Sequence, residues 1–225
     1  MKTAKFPMRI NQYLAWKSHA TRRGGDELVA NHQVFINGKM AQHGDKVTAN
    51  DKVEVLKNKN KKPYLYFAYH KPKGEATETI SPPQKDLFPL GRLDKASSGL
   101  MLFTNDGRVT DRLLNPEYAH EKEYLIKTTE KLRSSFKKNM EAGVDIEGYV
   151  TKKCRVEILD DFTFRIILTE GKKHQIRRMC SALFQQVRDL KRVRITNIVL
   201  GKLPSGSFRL LEDQELSLFL KNLGL

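Results

Sequence analysis

Cysteine is nearly absent: Cys154 and Cys180 are the whole complement, with no CxxC spacing and no Cys/His cluster around either. That excludes a disulfide scaffold and a zinc module, and it suits a reducing cytoplasm. No apolar run approaches the roughly 20 residues of a membrane span, and the first eight residues carry no apolar segment of the kind a secretory signal needs. A P-loop, a dinucleotide fingerprint and metal-ligand spacing are all missing. His19, His32, His43, His70 and His120 form no triad. No cofactor, no metal and no membrane partner are therefore expected. Acid is the other shortage: 26 Asp/Glu stand against 41 Lys/Arg, a net charge of +15. A protein this basic meets a polyanion, with nucleic acid first; the plainer alternative is a charge excess that only aids solubility. The 225 residues are 39% hydrophobic, enough for two small domains with real cores and too much for wholesale disorder.

The charge is uneven. Residues 1–62 hold 13 Lys/Arg and 5 Asp/Glu, about half the net charge in a quarter of the chain. Lys57-Asn58-Lys59-Asn60-Lys61-Lys62-Pro63 reads as a linker, which sets domains at 1–62 and 63–225. Before it, Ile10, Tyr13 and Leu14 share one face of a helix over 9–19. Thr21 is a candidate N-cap for a second helix reaching Val29, although Gly24 and Gly25 weaken its start by roughly 1 kcal/mol each. Val34-Phe35-Ile36 reads as a strand and Asn37-Gly38 as a hairpin turn. After the linker, strands are expected at 64–69, 100–103, 124–127 and 164–168. Helices are expected near 109–114, 132–140 and 175–184. Without a regular βαβ alternation the class is α+β.

Arg9-Ile10-Asn11-Gln12-Tyr13-Leu14, Thr21-Arg22-Arg23 and Val34-Phe35-Ile36-Asn37-Gly38-Lys39, in that order, resemble the S4 RNA-binding domain over residues 8–57. The resemblance implies two helices with a small sheet, and an RNA surface made by Arg9, Lys17, Arg22, Arg23 and Lys39. Polar backbone contacts would come from Asn11, Asn37 and the Gly38 turn. The plain reading of Arg22-Arg23 is a solvated helix start, but two cations there oppose the helix dipole unless an anion arrives.

The densest motif runs Gly91-Arg92-Leu93-Asp94-Lys95-Ala96-Ser97-Ser98-Gly99 into the apolar run Leu100–Phe103. A carboxylate between Arg92 and Lys95 stays ionised at neutral pH, so Asp94 suits a nucleophile or a base and not a general acid. An ordinary turn Asp paired to Arg92 fits the local residues equally well. The stretch resembles the central motif of RNA pseudouridine synthases of the RsuA/RluB/RluE/RluF group, as do Glu121-Lys122-Glu123-Tyr124-Leu125 and Glu170-Gly171-Lys172-Lys173-His174-Gln175-Ile176-Arg177-Arg178-Met179. The C-terminal pattern appears as Leu190–Ile195 and Phe208-Arg209-Leu210. Together they cover nearly all of residues 64–217. The resemblance implies a mixed, largely antiparallel sheet with flanking helices, and isomerisation of a flipped-out uridine without cofactor. It makes Asp94 catalytic, lays Tyr124 against the base, and pairs Arg177 with Asp94. Arg92, Lys95, His174, Gln175 and Arg178 would contact the RNA. Tyr124 taken alone reads as a core aromatic, and His174 as a surface histidine.

Ala142-Gly143-Val144-Asp145-Ile146, Val150–Cys154 and Arg194-Ile195-Thr196-Asn197-Ile198 are most like the RluF type. That type implies a uridine near the peptidyl-transferase region of 23S rRNA, with the anticodon of tyrosine tRNA as a second target. Residues 75–79 depart from the family, whose members are often longer and more apolar there. Two rivals share the basic charge: a non-catalytic ribosome-assembly factor, and the same chemistry on 16S rRNA. The first leaves Asp94, Tyr124 and Arg177 unexplained. A cytoplasmic monomer is expected.

Overall fold

The computed structural model describes residues 5–17, 19–56 and 63–225, so residues 57–62 of the expected linker lie outside it. Two compact units, Met1–Pro63 and Tyr64–Leu225, make up the chain. In the first, β1 (Met8–Arg9) leads into α1 (Ile10–Trp16), and α2 (Arg22–Ala30) follows. The Thr21 side chain caps α2 by accepting from the Gly24 N–H at 2.9 Å. Gly25, a liability to helix propensity, has a packing reason: a Cβ there would stand 3.2 Å from the Asn11 backbone, so its absence lets the helices approach. β2 (Val34–Ile36) turns into β3 (Lys39–Met40) through Asn37 and Gly38, whose φ values of 51° and 79° are those a tight two-residue hairpin needs. β4 (Lys46–Val47) pairs β1, and β5 (Val53–Val55) pairs β2. Ile10, Leu14, Val29, Val34 and Val47 form this unit's core.

The second unit is built on one large sheet. Its first strands are β6 (Tyr66–Lys71), β7 (Phe88–Pro89) and β8 (Ser98–Thr104), followed by α3 (Arg108–Leu114). β9 (Lys122–Thr128), α4 (Phe136–Ala142), β10 (Arg155–Asp160) and β11 (Thr163–Leu168) come next. The chain closes with α5 (Gln175–Ala182), β12 (Val187–Ile195), β13 (Ile198–Val199), β14 (Phe208–Leu210) and α6 (Asp213–Asn222). The order across the sheet is β10-β11-β9-β12-β8-β6-β14. Every pairing is antiparallel except β8 with β12, which run parallel. The α+β class and the mixed, largely antiparallel sheet are as the sequence implies. α4 is shorter than the expected helix, beginning at Phe136.

Strand β8 is buried on both faces, as a central strand should be. Met101 and Phe103 face a core shared with Phe136, Met140 and Met179 of α4 and α5. Leu100 and Leu102 face a second core with Val109 and Leu113 of α3 and Phe219 of α6. Where β8 meets β12, a Cβ on Gly99 would lie 2.2 Å from the Arg192 carbonyl oxygen, and the Gly99 φ is +110°. Space and backbone conformation both demand glycine. Gly99→Ala is expected to cost about 3 kcal/mol or more, read as a lowered urea midpoint at unchanged m-value. An unshifted midpoint would show that the seam can open without penalty.

Candidate active site

A cleft of about 880 Å³ opens at the seam. Arg92, Lys95, Lys122, Lys172, Lys173, Arg177 and Arg192 line it, against three carboxylates, Glu78, Asp94 and Glu170. His174 and Tyr124 line it as well. The cleft is thus basic on balance, as a site for a polyanion would be.

Asp94 sits in the loop that feeds β8, and the loop is held from three directions. Its own turn is closed by the Ser97 N–H donating to the Asp94 carbonyl at 2.9 Å. The preceding segment straps it: the Gly74 N–H donates to the Lys95 carbonyl at 2.8 Å. Thr77 Oγ1 donates to the Leu93 carbonyl at 3.0 Å and accepts from the Leu93 N–H at 3.3 Å. Glu78 pairs with Arg92. Behind the strap lies Lys71, fully buried, its ammonium donating to the carbonyls of Pro72 and Glu75 at 2.9 and 2.6 Å. Burial lowers the Lys71 pKa, while Glu75 and Asp94 act in the opposite sense.

The third hold is Arg177, and here the expected contact is corrected. No Arg177–Asp94 ion pair exists among the described residues. Arg177 Nη2 donates instead to the Ala96 carbonyl at 3.0 Å, and Nη1 to the Val187 carbonyl at 3.2 Å. Nη2 also reaches the Ser97 hydroxyl at 3.4 Å, so the guanidinium ties together the chain on either side of the seam. The group that meets Asp94 is His174, whose Nδ1 lies 2.9 Å from Oδ2, a distance at which the ring N–H donates to the carboxylate. The turn-Asp reading fails with it, because Arg92 is engaged by Glu78. His174 stands just before α5 with a left-handed φ of 52°. The helix start is anchored by buried Glu170. Burial would raise the Glu170 pKa, but hydrogen bonds from Tyr149, the Lys152 N–H and Gln175 hold it below the ordinary value.

Tyr124 serves both readings made of it: it is 9% exposed within the core cluster and also faces the cleft. Arg192 lies opposite it across β9 and β12. Arg192 is 4% exposed and donates through Nε to the Leu100 carbonyl at 2.6 Å. Lys122, two residues before Tyr124 on β9, completes this wall.

Some expected RNA contacts are committed elsewhere. Gln175 is buried, donating to Glu170 at 2.7 Å and accepting from the Lys172 N–H at 2.9 Å. Arg178 donates to the Ile146 carbonyl and pairs with Glu147. In the N-terminal unit Asn11 donates to Asp26, and Asn37 is bound to Asp51 and the Lys52 N–H. These are supports of the fold. Arg9, Arg22, Arg23, Gly38 and Lys39 are exposed, as is Lys95 at the cleft. Sequence reasoning had no role for Lys71, Lys122 or the Asp94–His174 contact. Adjacency of Lys122 to Tyr124's motif was the one available signal; the other two are tertiary.

Known proteins resemble this chain over most of its length. The family model described as RNA pseudouridylate synthase matches residues 65–182. A Salmonella typhi protein, the dual-specificity RNA pseudouridine synthase RluF, is 38% identical over 222 residues, covering 92% of this chain and 77% of its own. Its Escherichia coli K12 namesake is 37% identical over 223 residues, with 93% and 77% covered. A solved pseudouridylate synthase superposes with a TM-score of 0.70 at 26% identity, covering 96% of this chain and 99% of its own.

The strap can be tested without any assay of activity. Thr77→Val keeps the shape and removes both hydrogen bonds to Leu93. The expected loss is about 2 kcal/mol of stability, with faster exchange of the Leu93 amide. Unchanged exchange there would show that the Asp94 loop holds itself.

Proposed function

Because this chain belongs to the RNA pseudouridylate synthase family, we propose that the RNA uridine it isomerises lies in 23S rRNA near the peptidyl-transferase region, with the anticodon of tyrosine tRNA as a second target. The carrying observation is the match to dual-specificity synthases across 92% of the chain. Local structure at the RluF-type stretches supports it. Thr196, where other branches tend to carry Gly, holds a φ of +50° with its hydroxyl bound to the Ile195 carbonyl. Arg194 beside it is fixed by Glu121 and Glu123. The setting is the cytoplasm, where stable RNA is made. The exposed cations of the S4-like unit would hold the RNA backbone.

Within the cleft the reaction breaks N1–C1′ of a flipped uridine, turns the base and joins C5 to C1′. Atoms and electrons are conserved, so no redox partner is consumed. Asp94 acts on the ribose, either bonding C1′ or taking the C2′ proton. Its carboxylate is oriented by His174 and its loop by Arg177, so the attacking group needs no rearrangement when substrate arrives. Tyr124 lies beside the uracil ring. The basic walls hold the flanking phosphates and offset the few kcal/mol that flipping costs.

The test is pseudouridine mapping by carbodiimide treatment and primer extension on RNA from cells lacking the gene, complemented with wild type, Asp94→Asn or His174→Ala. One 23S stop is expected to return with wild type and not with Asp94→Asn. A stop confined to 16S rRNA overturns the 23S assignment. Losing the His174 hydrogen bond should remove about 1.5–3 kcal/mol of orientation, roughly ten- to a hundredfold in the rate of modification. A wild-type rate in His174→Ala would assign His174 to the surface.

A further inference from the structure

Lys122 and Arg192 form an unusual pair. Both line the cleft, and neither makes an ion pair among the described residues. Arg192 is 4% exposed, and its Nη2 is buried with no hydrogen-bond partner. Lys122 Nζ has only the His120 carbonyl, at 3.4 Å. The neighbouring carboxylates are taken: Glu121 and Glu123 both bind Arg194. Two cations brought together out of water raise the free energy of the empty site. A ligand that carries negative charge to them recovers that cost.

The register says which part of the substrate this is. Lys122 and Tyr124 project from the same face of β9, and Arg192 is the cross-strand neighbour of Tyr124. On the reading that Tyr124 lies beside the uracil, the two cations reach the base. When N1–C1′ breaks, the electron pair leaves with N1 and spreads onto O2 and O4 of the uracil. The sugar either gains a bond from C1′ to an Asp94 oxygen, or gives its C2′ proton to Asp94 and forms a C1′–C2′ double bond. On both routes Asp94 loses its negative charge and the detached uracil holds one. The pair returns when C5 bonds C1′, as the C1′–Asp94 bond breaks or as Asp94 gives the proton back to C2′; C5 then loses its proton to water and N1 takes one up. We infer that Lys122 and Arg192 are the seat of this departing uracil anion, holding its oxygens while the ring turns beside Tyr124. Such preorganised charge, aimed at where charge develops, is among the strongest contributions to catalysis.

Lys122 also supplies the readout. Burial, helped by the Arg192 charge, pushes its pKa down to about 8. The groups facing it are Arg192 from β12 and His120 from its own chain. Burial and the Lys122 charge hold the His120 pKa below its ordinary 6.5. The ammonium is therefore present below about pH 8 and lost above it, and the seat is lost with it.

The experiment is single-turnover tritium release from total stable RNA labelled at uridine C5 and taken from cells lacking the enzyme. The rate then does not depend on which RNA is the target, and a wrong 23S assignment leaves the test intact. Wild type should lose rate above about pH 8. Lys122→Met should lower the rate roughly a hundredfold and abolish that limb, with the half-saturating RNA concentration within about threefold of wild type. Lys122→Arg should keep activity past pH 9, and it carries the test if the Met variant fails to fold. Three results overturn the inference: an unchanged rate in Lys122→Met, a loss seen wholly as weaker RNA saturation (a phosphate contact), or a limb near pH 8 that persists in Lys122→Arg.

Discussion

The parallel contact between β8 and β12 is the constraint on which the active site depends. Parallel strands begin at the same end of a sheet, so the segments that precede them meet there. The loop before β8 carries Asp94, and the segment before β12 carries α5, with His174 just ahead of the helix and Arg177 within it. Arg177 joins the two by donating to Ala96 on one side and Val187 on the other. Gly99 lets the strands close to a distance at which no Cβ fits. A side chain at Gly99 would therefore separate Asp94 from His174, although neither residue touches position 99 through its side chain.

Charge is organised by the same geometry. Several cations outside the cleft are neutralised: Arg194 by Glu121 and Glu123, Arg178 by Glu147, Arg209 by Glu215, Arg108 by Asp106. These pairs range from exposed, as at Glu147, to buried, as at Asp106. Their effect is on the field, because they consume the scarce carboxylates away from the cleft. Lys95, Lys122, Lys172, Lys173 and Arg192 line it without a carboxylate of their own among the described residues. The cleft, with seven cations against three carboxylates, is therefore a basic trough around Asp94.

Elements with a strong local pattern were legible in the sequence. Leu100–Phe103 announced β8, Asn37-Gly38 announced its hairpin, and Thr21 announced the cap of α2. β12 was not legible as a strand: Arg188, Asp189, Lys191, Arg192 and Arg194 break any alternation, since this strand serves the cleft and the ion pairs as well as the core. The role of Gly25 was invisible because propensity is local and the Asn11 backbone it meets lies a turn of chain away. Asp94, Tyr124 and Arg177 could be picked out by motif, and all three line one cleft. Motif could not say how Arg177 is used. Its two shortest hydrogen bonds go to backbone carbonyls, which leave no signature in residue type, and 83 positions separate it from Asp94.

The strap over 74–78 grips the Asp94 loop in two layers. The two layers fall on adjacent residues. Thr77 is buried and holds Leu93 by both backbone groups, while Glu78 next to it is exposed and meets Arg92 at the rim. An RNA that displaces Glu78 from Arg92 trades one solvent-exposed ion pair for a phosphate contact, at small net cost. The Thr77–Leu93 bonds lie beneath and are not engaged by that exchange. The position of Asp94 is thus set by the buried layer and not by the ion pair at the rim.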